Sequence, residues 1–430
     1  MIESVFFLVL ALRGFTETPG HKPPKIRIPF LIFIFIAVSS CSQIYSKVGG
    51  DFKGPPEELK SQLTPIAKKL IESAYADIDP SRLVDFHTHI LGLGNSNSGI
   101  FINPAMQSPA NSIRYFRFQA FKNASGIYKN DSGDQDYISR LLGLIHNLPE
   151  RGRFMILGFD KNYRPDGQED LKQTEFYIPN EYIFSLVEKN PNIFLPMISV
   201  NPYREDALKK LEEWNKKGAR FIKWLPNAMG IDPSDPGIDK YYSKVKQLNM
   251  VLLVHVGAEG AVHTGEGEKL GNPLLLRRPL DQGVKVIMAH CASRGTNLDL
   301  DEPLNGEVSN FDLFMRMMNE KRYEGFLFGE ISGLTQNNRF NGPLQTLLKK
   351  KEWHSRLVNG SDYPLPALNI VIRTEALVKA GLLTHEEKQA MDLIYRYNPL
   401  LFDFVLKRTV RHPETGEKLP ASIFMIPNGF

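Results

Sequence analysis

Three features are scarce in this sequence: cysteine, long apolar runs and net charge. Its 430 residues include two cysteines, Cys41 and Cys291, so a disulfide-rich framework is excluded. The net charge is +4, and residues 1–41 carry half of it, which leaves no electrostatic footprint for nucleic acid. The apolar run at 28–38 is about half of the ~20 residues needed to cross a bilayer, so this run does not predict a transmembrane helix.

The N-terminal segment has the pattern of a secretory signal. Lys22, Lys25 and Arg27 precede the apolar run, which leads into the tetrapeptide Val-Ser-Ser-Cys at 38–41. A basic stretch, a short apolar stretch and small residues before a cleavage point are the parts of such a signal. The tetrapeptide resembles a bacterial lipobox, which implies cleavage before Cys41 and lipidation of its thiol. A short uncleaved anchor or a mis-set start codon is the alternative, because residues 1–20 contain their own small apolar run.

This pattern predicts an exported lipoprotein, anchored in the membrane by its N-terminal lipid and facing the periplasm or the cell exterior. Cleavage would leave Cys291 as the single cysteine, so the fold would depend on its core without an intrachain disulfide. We divide the chain into a signal and lipoprotein leader (1–41), a linker with an N-terminal helix (42–79), a barrel domain (80–410) and a C-terminal tail (411–430).

After a predicted helix at 57–76, short apolar runs alternate with helical patterns. Most runs are β-branched and aromatic, and several end in Gly, Pro or Asn, as buried parallel strands do. The runs lie at 82–87, 153–160, 193–200, 220–225, 251–256, 285–290, 326–331 and 357–360. Eight strand–helix units predict the α/β class and favour a closed (β/α)8 TIM barrel over an open doubly wound sheet. No Gly-rich phosphate-binding motif follows the first run, which weakens the dinucleotide-binding alternative.

The clearest helical patterns between the runs lie at 204–214, 309–322 and 343–353. Two connections are long, at 90–138 and 257–273, and loops of this length in a compact domain are usually functional or disordered. The first is rich in Gly, Ser, Asn and aromatic residues. Its aromatic content predicts a packed lid rather than an unstructured insert.

Polar residues with metal-binding or catalytic chemistry stand at the ends of the predicted strands. His87 and His89 end the first run, where residues two apart point the same way and lie roughly 6.5–7 Å apart at Cα, so two imidazoles can bind one ion. The ends of the fourth, fifth, sixth and eighth runs carry Lys223, His255, His290 and Asp362. Taken singly, each has an ordinary structural explanation, such as a satisfied core histidine or a turn cap. Their order favours a shared site at the C-terminal rim of one barrel.

The set resembles the amidohydrolase superfamily of metal-dependent (β/α)8 barrels. The resemblance covers about 83–408 and is carried by the segments at 84–89, 254–257, 289–291, 360–364 and 397–399. The branch closest in pattern includes aminocarboxymuconate semialdehyde decarboxylase. These segments are specific at the level of the superfamily and do not fix the substrate.

The resemblance implies one divalent metal ion held by four side chains, those of His87, His89, His255 and Asp362. Imidazole and carboxylate ligands suit Zn²⁺, with Mn²⁺ or Fe²⁺ as alternatives. Asp362 would also act as the catalytic general base, and His290 would bind a second metal or stabilise an oxyanion. Lys223 stands where a carboxylated lysine bridges two ions in binuclear relatives, so we expect one ion as the minimum and leave the second open.

Weaker candidates for substrate binding line the rim of the predicted barrel. Glu330 and Ser332 have the parity to face inward together, and Glu330 would position a metal-binding histidine or a substrate amine. A salt bridge from Glu330 to an arginine such as Arg294 is about equally expected. The two long connections contribute His263 and, as a clamp for an acidic substrate, Arg114 and Arg117.

Three functions with a small-molecule substrate follow from this set. The first is a metal-dependent hydrolase of an amide, ester or lactone-type bond. The second is a metal-dependent non-oxidative decarboxylase, which would need a basic residue gripping a carboxylate near the metal. The third is a non-catalytic lipoprotein that keeps the barrel as a binding scaffold, and the complete ligand set argues against it. The hydrolase is favoured, no nucleic-acid partner is expected, and homo-oligomerisation is left open.

Overall fold

A computed structural model describes residues 48–50 and 54–430 of this chain. The predicted leader, with the lipidation site Cys41 and the apolar run before it, lies outside the described residues and stays a prediction. Within the described part, no helix is both long enough and apolar enough to cross a bilayer.

Eight parallel strands form the centre of the fold, and each overlaps one of the eight predicted runs. They are β1 (Val84–His89), β2 (Arg153–Leu157), β3 (Phe194–Ile198), β4 (Phe221–Trp224), β5 (Val251–Val254), β6 (Lys285–Met288), β7 (Leu327–Glu330) and β8 (Leu357–Val358). Neighbours in the sheet follow chain order from β1 to β8. The segment after β8 closes the circle on β1, because the His89 N–H donates to the Tyr363 carbonyl at 3.0 Å and Thr88 pairs with Tyr363 in a parallel bridge. The predicted barrel of parallel strands is confirmed.

Helices and short turns fill the connections around the barrel. In chain order the α-helices are α1 (Leu59–Gln62), α2 (Pro65–Tyr75), α3 (Pro104–Gln107), α4 (Ser112–Ala124), α5 (Gly133–His146), α6 (Asn180–Lys189), α7 (Ala207–Lys216), α8 (Pro226–Met229), α9 (Asp239–Gln247), α10 (Arg277–Asp281), α11 (Asn310–Met318), α12 (Gln345–Lys349), α13 (Thr374–Lys379), α14 (His385–Tyr397) and α15 (Pro399–Thr409). Two short strand pairs lie in the loops, Phe101–Ile102 with Phe176–Tyr177 and Thr296–Leu298 with Glu307–Ser309.

The barrel interior is a cluster of apolar side chains. Its buried members are Val84, Phe86, Met155, Leu157, Met197, Phe221, Val251, Leu253, Ile287, Ala289, Phe328 and Val358. At the N-terminal ends of the strands, Ile426 and Phe430 pack against this cluster. The centroid of the Phe430 ring lies 4.6 Å from that of Phe328 and 6.2 Å from that of Phe86. Residues 426–430 therefore plug the end of the barrel opposite to the polar strand ends.

The single helix predicted at 57–76 is wrong, because the structure has two helices there. α1 ends at Gln62 and α2 begins at Pro65. Proline has no N–H and its ring clashes inside a helix, whereas it fits the first helical turn. Thr64 caps α2 by accepting a hydrogen bond from the Ala67 N–H at 3.2 Å. The break is therefore a local effect of Thr64 and Pro65.

Other predicted helices differ from the structure at their ends. α7 spans Ala207–Lys216 rather than 204–214, and Arg204 and Asp206 form an ion pair at 2.8 Å just before it. The patterns at 309–322 and 343–353 contain α11 and α12, and each helix is followed by a 3₁₀ turn. The connection at 90–138 contains α3, α4 and the start of α5, and Phe118 of α4 is buried, as a packed lid requires.

The plug predicts a stability cost for Phe430→Ala. Truncating a large buried aromatic side chain costs about 3–5 kcal/mol, and the half-buried position of Phe430 lowers the expected loss to about 2–4 kcal/mol. Urea unfolding of the two proteins measures this difference. Leu304→Ala is the matched control, because the Leu304 side chain is fully exposed and should change stability by less than about 0.5 kcal/mol. Equal midpoints for Phe430→Ala and wild type would contradict the plug.

Candidate metal centre

Three ligand atoms from β1 and the segment after β8 meet at the C-terminal rim of the barrel. His87 Nε2 lies 3.2 Å from His89 Nε2 and 3.4 Å from Asp362 Oδ1. His89 Nε2 lies 3.0 Å from the same Asp362 oxygen. His87 is buried, whereas 29% of the His89 side chain and 13% of the Asp362 side chain are exposed. The cluster therefore opens to solvent on the side of His89.

Backbone hydrogen bonds present Asp362 to the two imidazoles. Asp362 has φ +56°, a left-handed conformation that is uncommon for a residue with a Cβ. Its N–H donates to the His87 carbonyl at 2.6 Å. Asp85 supports the turn, because its Oδ1 accepts from the N–H groups of both His87 and Ser361 at 2.9 Å. Asp85 thereby joins β1 to the segment that carries Asp362.

Glu330, at the end of β7, orients His87 from the other side of its ring. Glu330 Oε2 lies 3.0 Å from His87 Nδ1, so Nδ1 carries the proton and Nε2 keeps its lone pair toward the cluster. The carboxylate also accepts from the Ser332 N–H, the Ser332 hydroxyl at 2.7 Å and the His290 N–H at 3.3 Å. Among the described residues Glu330 forms no salt bridge with Arg294, and its carboxylate instead lies against the ring nitrogens of His87 at 3.0 Å and His290 at 3.9 Å. Hydrogen-bond donors thus occupy both carboxylate oxygens of Glu330. Ligand atoms of His87, His290 and Glu330 also lie within 4.8 Å of one another and form a second cluster.

His290 follows β6 and is held by Ser332. Its Nδ1 lies 2.7 Å from the Ser332 hydroxyl, and its Nε2 lies 3.9 Å from Asp362 Oδ2. His290, Cys291 and Ala292 all have φ between +48° and +56°. Three such residues in succession are a strained run, and backbone strain of this kind clusters at functional sites. Cys291 is free and buried beside the site.

Burial and nearby positive charge favour the neutral imidazoles of His87 and His290. Burial lowers the pKa of His87 well below its ordinary value, and Lys223 is the next cause. Burial also lowers the pKa of His290, followed by the charge of Arg339. Lys223 faces into the barrel with Nζ 3.0 Å from His87 Nε2, and burial lowers the pKa of Lys223 to about 8 against the attraction of Asp362. Neutral imidazole is the form that binds metal ions.

His255 lies next to the cluster but outside its shortest contacts. Its ring centroid is 5.2 Å from that of His290. Its Nε2 faces Glu259 Oε2 at 3.2 Å without hydrogen-bond geometry, so this buried nitrogen has no bonding partner among the residues described. Burial lowers the pKa of His255 to about 4. In the described part of the chain, His255 belongs to neither cluster of ligand atoms within 4.8 Å of one another.

The two long connections hold each other through Glu175. The Glu175 carboxylate pairs with Arg114 and accepts from the His263 N–H at 3.1 Å. Arg117 Nη1 donates to the Val262 carbonyl at 3.3 Å. Arg114 and Arg117 thus bind groups of the protein, and the His263 ring is exposed. The structure gives these three residues a part in holding the lid against the 257–273 connection, and it brings none of them into the metal cluster.

Sequence reasoning missed two buried cations near the centre. Arg339 lies on the connection after β7, and Lys407 lies in α15. Lys407 Nζ donates to Asp403 Oδ2 at 2.6 Å and to the Gly360 carbonyl at 2.7 Å, which ties the segment before Asp362 to the last helix. Neither residue stands in a motif or at a strand end, so no sequence signal marks it.

The donor set fits a divalent ion. Ligand atoms about 2.0–2.2 Å from a common ion lie about 3.3–3.6 Å apart at tetrahedral angles, and the three separations here are 3.0–3.4 Å. His87 has the carboxylate partner on its other ring nitrogen that metal-binding histidines usually have. His255 Nε2 adds a buried nitrogen without a bonding partner beside this group. Imidazole and carboxylate donors accept Zn²⁺, Mn²⁺ or Fe²⁺ and do not select among them.

Comparisons with known proteins find similarity in solved structures alone. No protein-family model and no curated protein matches the sequence. An uncharacterised TIM-barrel protein from Bordetella bronchiseptica is 12% identical with a TM-score of 0.45, over 73% of this chain and 99% of that one. A candidate amidohydrolase from Staphylococcus aureus is 14% identical with a TM-score of 0.39, over 72% and 95%. The 5-carboxyvanillate decarboxylase from Sphingomonas paucimobilis is 10% identical with a TM-score of 0.41, over 72% and 96%.

The close packing at Gly360 predicts that Gly360→Ala disturbs the centre. A Cβ there would lie 2.5 Å from His87 Cβ and 2.7 Å from Glu330 Oε1, so one of these side chains must move. We expect a loss of about 1–3 kcal/mol in unfolding free energy, measured by urea titration, together with weaker metal binding. Gly143→Ala in α5 is the control, because its Cβ would meet nothing within 4 Å. Full stability and full metal content in Gly360→Ala would contradict this packing.

The Lys407 contacts predict that Lys407→Met destabilises the protein. Removing one partner of a buried ion pair leaves Asp403 uncompensated, which costs about 3–5 kcal/mol. Adding Asp403→Asn should recover part of that loss, because the stranded charge disappears, and urea unfolding of both variants measures the coupling. Lys209→Met, which breaks an exposed pair to Glu213, should cost less than about 1 kcal/mol. Equal losses in the two lysine variants would show that the buried pair carries no special weight.

Proposed function

We propose that this chain is a metal-dependent hydrolase of the amidohydrolase type, acting on an amide, ester or lactone-type bond. The observation that carries the proposal is the meeting of His87 Nε2, His89 Nε2 and Asp362 Oδ1 within 3.0–3.4 Å of one another. Glu330 supports it by fixing the tautomer of His87. The resemblance to the amidohydrolase superfamily, carried by motifs that include these same residues, supports the same proposal.

Each residue of the centre has a distinct part in the proposed reaction. A bound divalent ion would polarise a carbonyl group and make water more acidic. Asp362 directs Oδ1 at the imidazoles, so Oδ2 is the oxygen that would accept a proton from water. The Ser332 hydroxyl donates to Glu330 and so accepts from His290 Nδ1–H, which leaves His290 Nε2, 3.9 Å from Oδ2, to accept a hydrogen bond from the reacting water or to bind a second ion. His255, with its buried unbonded Nε2, is the proposed fourth ligand.

Decarboxylation is the second candidate, and the buried cations favour it. A non-oxidative decarboxylase must hold a carboxylate near the ion, and Lys223 and Arg339 both place positive charge beside the imidazoles.

Lys223 also bears on the number of ions, because a carboxylated Lys223 would bridge two of them. The ratio of metal to protein decides between one ion and two.

Metal analysis and chelation test the proposal on the purified protein. We expect bound Zn²⁺, Mn²⁺ or Fe²⁺, loss of activity after chelation and recovery on adding the ion back. Hydrolysis is measured on nitrophenyl esters, anilides and lactones, and CO₂ release on aromatic and unsaturated carboxylic acids. Asp362→Asn should lower the activity found by about 10²–10⁴-fold, because it removes the proton acceptor. His87→Ala should lower the metal content as well.

Controls separate these effects from a general loss of folding. His385→Ala changes an exposed histidine on α14 and should keep both metal content and activity. Hydrolysis without CO₂ release supports the first candidate, and CO₂ release without hydrolysis supports the second. Activity that is indifferent to chelation, or normal activity in Asp362→Asn, would remove the metal-centred proposal for either reaction.

A further inference from the structure

We propose that Arg339 and Gln336, on the connection after β7, form an anion subsite that binds a carboxylate group of the substrate. The inference rests on the proposed function, because it assigns a substrate class to the same centre. The observation behind it is the convergence of two buried, hydrogen-bond-donating side chains whose donors are not all used by the protein.

Both side chains are buried and keep free donors. Arg339 is 5% exposed and Gln336 is 8% exposed. Arg339 Nη1 donates to the Ser293 hydroxyl at 3.1 Å, whereas Arg339 Nε and Gln336 Nε2 have no hydrogen-bond partner within residues 48–50 and 54–430. In the same part of the chain, no carboxylate oxygen lies within 4.0 Å of the Arg339 guanidinium. Buried donors without an acceptor are rare and costly, so they point to a ligand that supplies one.

The two side chains converge beside the metal centre. A Cβ built on Gly333 would lie 2.6 Å from Gln336 Nε2 and 3.5 Å from Arg339 Nη1, so both side chains lie over the backbone next to Ser332. Ser293, which binds Arg339, donates its N–H to the His290 carbonyl at 3.0 Å. Arg339 thus lies near Ser332, which holds the ring of His290, and is bonded to Ser293, which contacts the His290 backbone.

The charge balance around Arg339 suits a bound anion. Burial, and after it the charge of the neighbouring Arg294, lower the pKa of Arg339 to about 10, so the guanidinium still carries its charge at neutral pH. Asp362, Glu259 and Glu330 oppose this effect, but from beyond ion-pair distance. A substrate carboxylate would add the missing negative charge at close range.

The donor chemistry selects a carboxylate over its neutral analogues. A guanidinium presents planar N–H donors that match the two oxygens of a carboxylate, and the Gln336 amide adds a further donor. A carboxamide of the same shape brings its own N–H₂ group, which would face these donors. The subsite therefore predicts that an acid binds more tightly than its amide. This preference would depend on the side chain of Arg339 and not on a bound metal ion.

Benzoate and benzamide are the probes, because they share a shape and differ in charge. We expect isothermal titration of the wild-type protein to show benzoate binding at least about tenfold tighter than benzamide binding. Arg339→Gln should weaken benzoate binding by at least about tenfold and leave benzamide binding and metal content unchanged. Arg339→Lys should restore part of the benzoate affinity, because it returns the charge without the planar pair of donors.

The controls distinguish this inference from the proposed function. Arg164→Gln removes an exposed arginine that pairs with Asp170, and it should leave the benzoate affinity unchanged. All titrations are repeated on metal-free protein, where Arg339-dependent benzoate binding should persist even if the protein turns out to hold no metal. Equal benzoate affinity in wild type and Arg339→Gln would overturn the subsite. Benzoate binding that vanishes with the metal alone would overturn it too, because the carboxylate would then sit on the ion. If Arg339→Gln does not fold, Arg339→Lys decides, and a benzoate affinity equal to wild type in that variant counts against the subsite.

Discussion

The two nitrogens of one buried imidazole set the geometry on which the centre depends. His87 lies in the barrel interior, where a polar ring is costly unless both of its nitrogens find partners. Glu330 takes one nitrogen, and the other faces His89 and Asp362. Because Glu330 is itself bound by Ser332 and by the backbone of His290, the ring cannot rotate without breaking contacts on β6 and β7 as well. Because Lys223 of β4 also lies 3.0 Å from the second nitrogen, this one side chain links five of the eight strand ends.

The candidate metal centre lies where the segment after β8 meets β1 and closes the barrel. β8 is two residues long, and the chain continues along β1 through hydrogen bonds that include the Asp362 N–H and the His87 carbonyl. Asp85 bridges the same two segments from its position on β1. Closure of the barrel and assembly of the ligand atoms are therefore one structural event. The apolar plug around Phe430 stabilises the opposite end of the same strands.

Much of the fold and part of the site could be predicted from the sequence, because both follow from short-range patterns. Alternation of apolar runs and helical patterns marks eight strands, and the side-chain period of a strand places His87 and His89 together. Parallel strands bring their C-terminal ends to one rim, which gathers Lys223, His290 and Asp362.

The remaining parts of the site and the exact helix ends could not be predicted, because they depend on contacts between residues far apart in the sequence. Arg339 and Lys407 lie far from any strand end, and their burial beside the centre results from how the β7 connection and α15 pack. Arg114 and Arg117 had the charge expected of a substrate clamp, but buried Glu175 and a loop carbonyl bind them. The helix at 57–76 was overextended because its apolar spacing is continuous, while the break depends on a capping threonine and the geometry of one proline.

The contact between Lys407 and the Gly360 carbonyl would couple ion binding at the proposed centre to the docking of the last helix. His87 and His89 come early in the sequence, and β1 alone brings their side chains together. Asp362 joins them in its left-handed conformation with its supporting segment held by α15, whose lysine is buried only once that helix has docked. A chain in which α15 has not docked would lack the Lys407 contact that holds the segment before Asp362. Metal affinity would rise steeply as the last helix docks, so that a bound ion reports a completed fold.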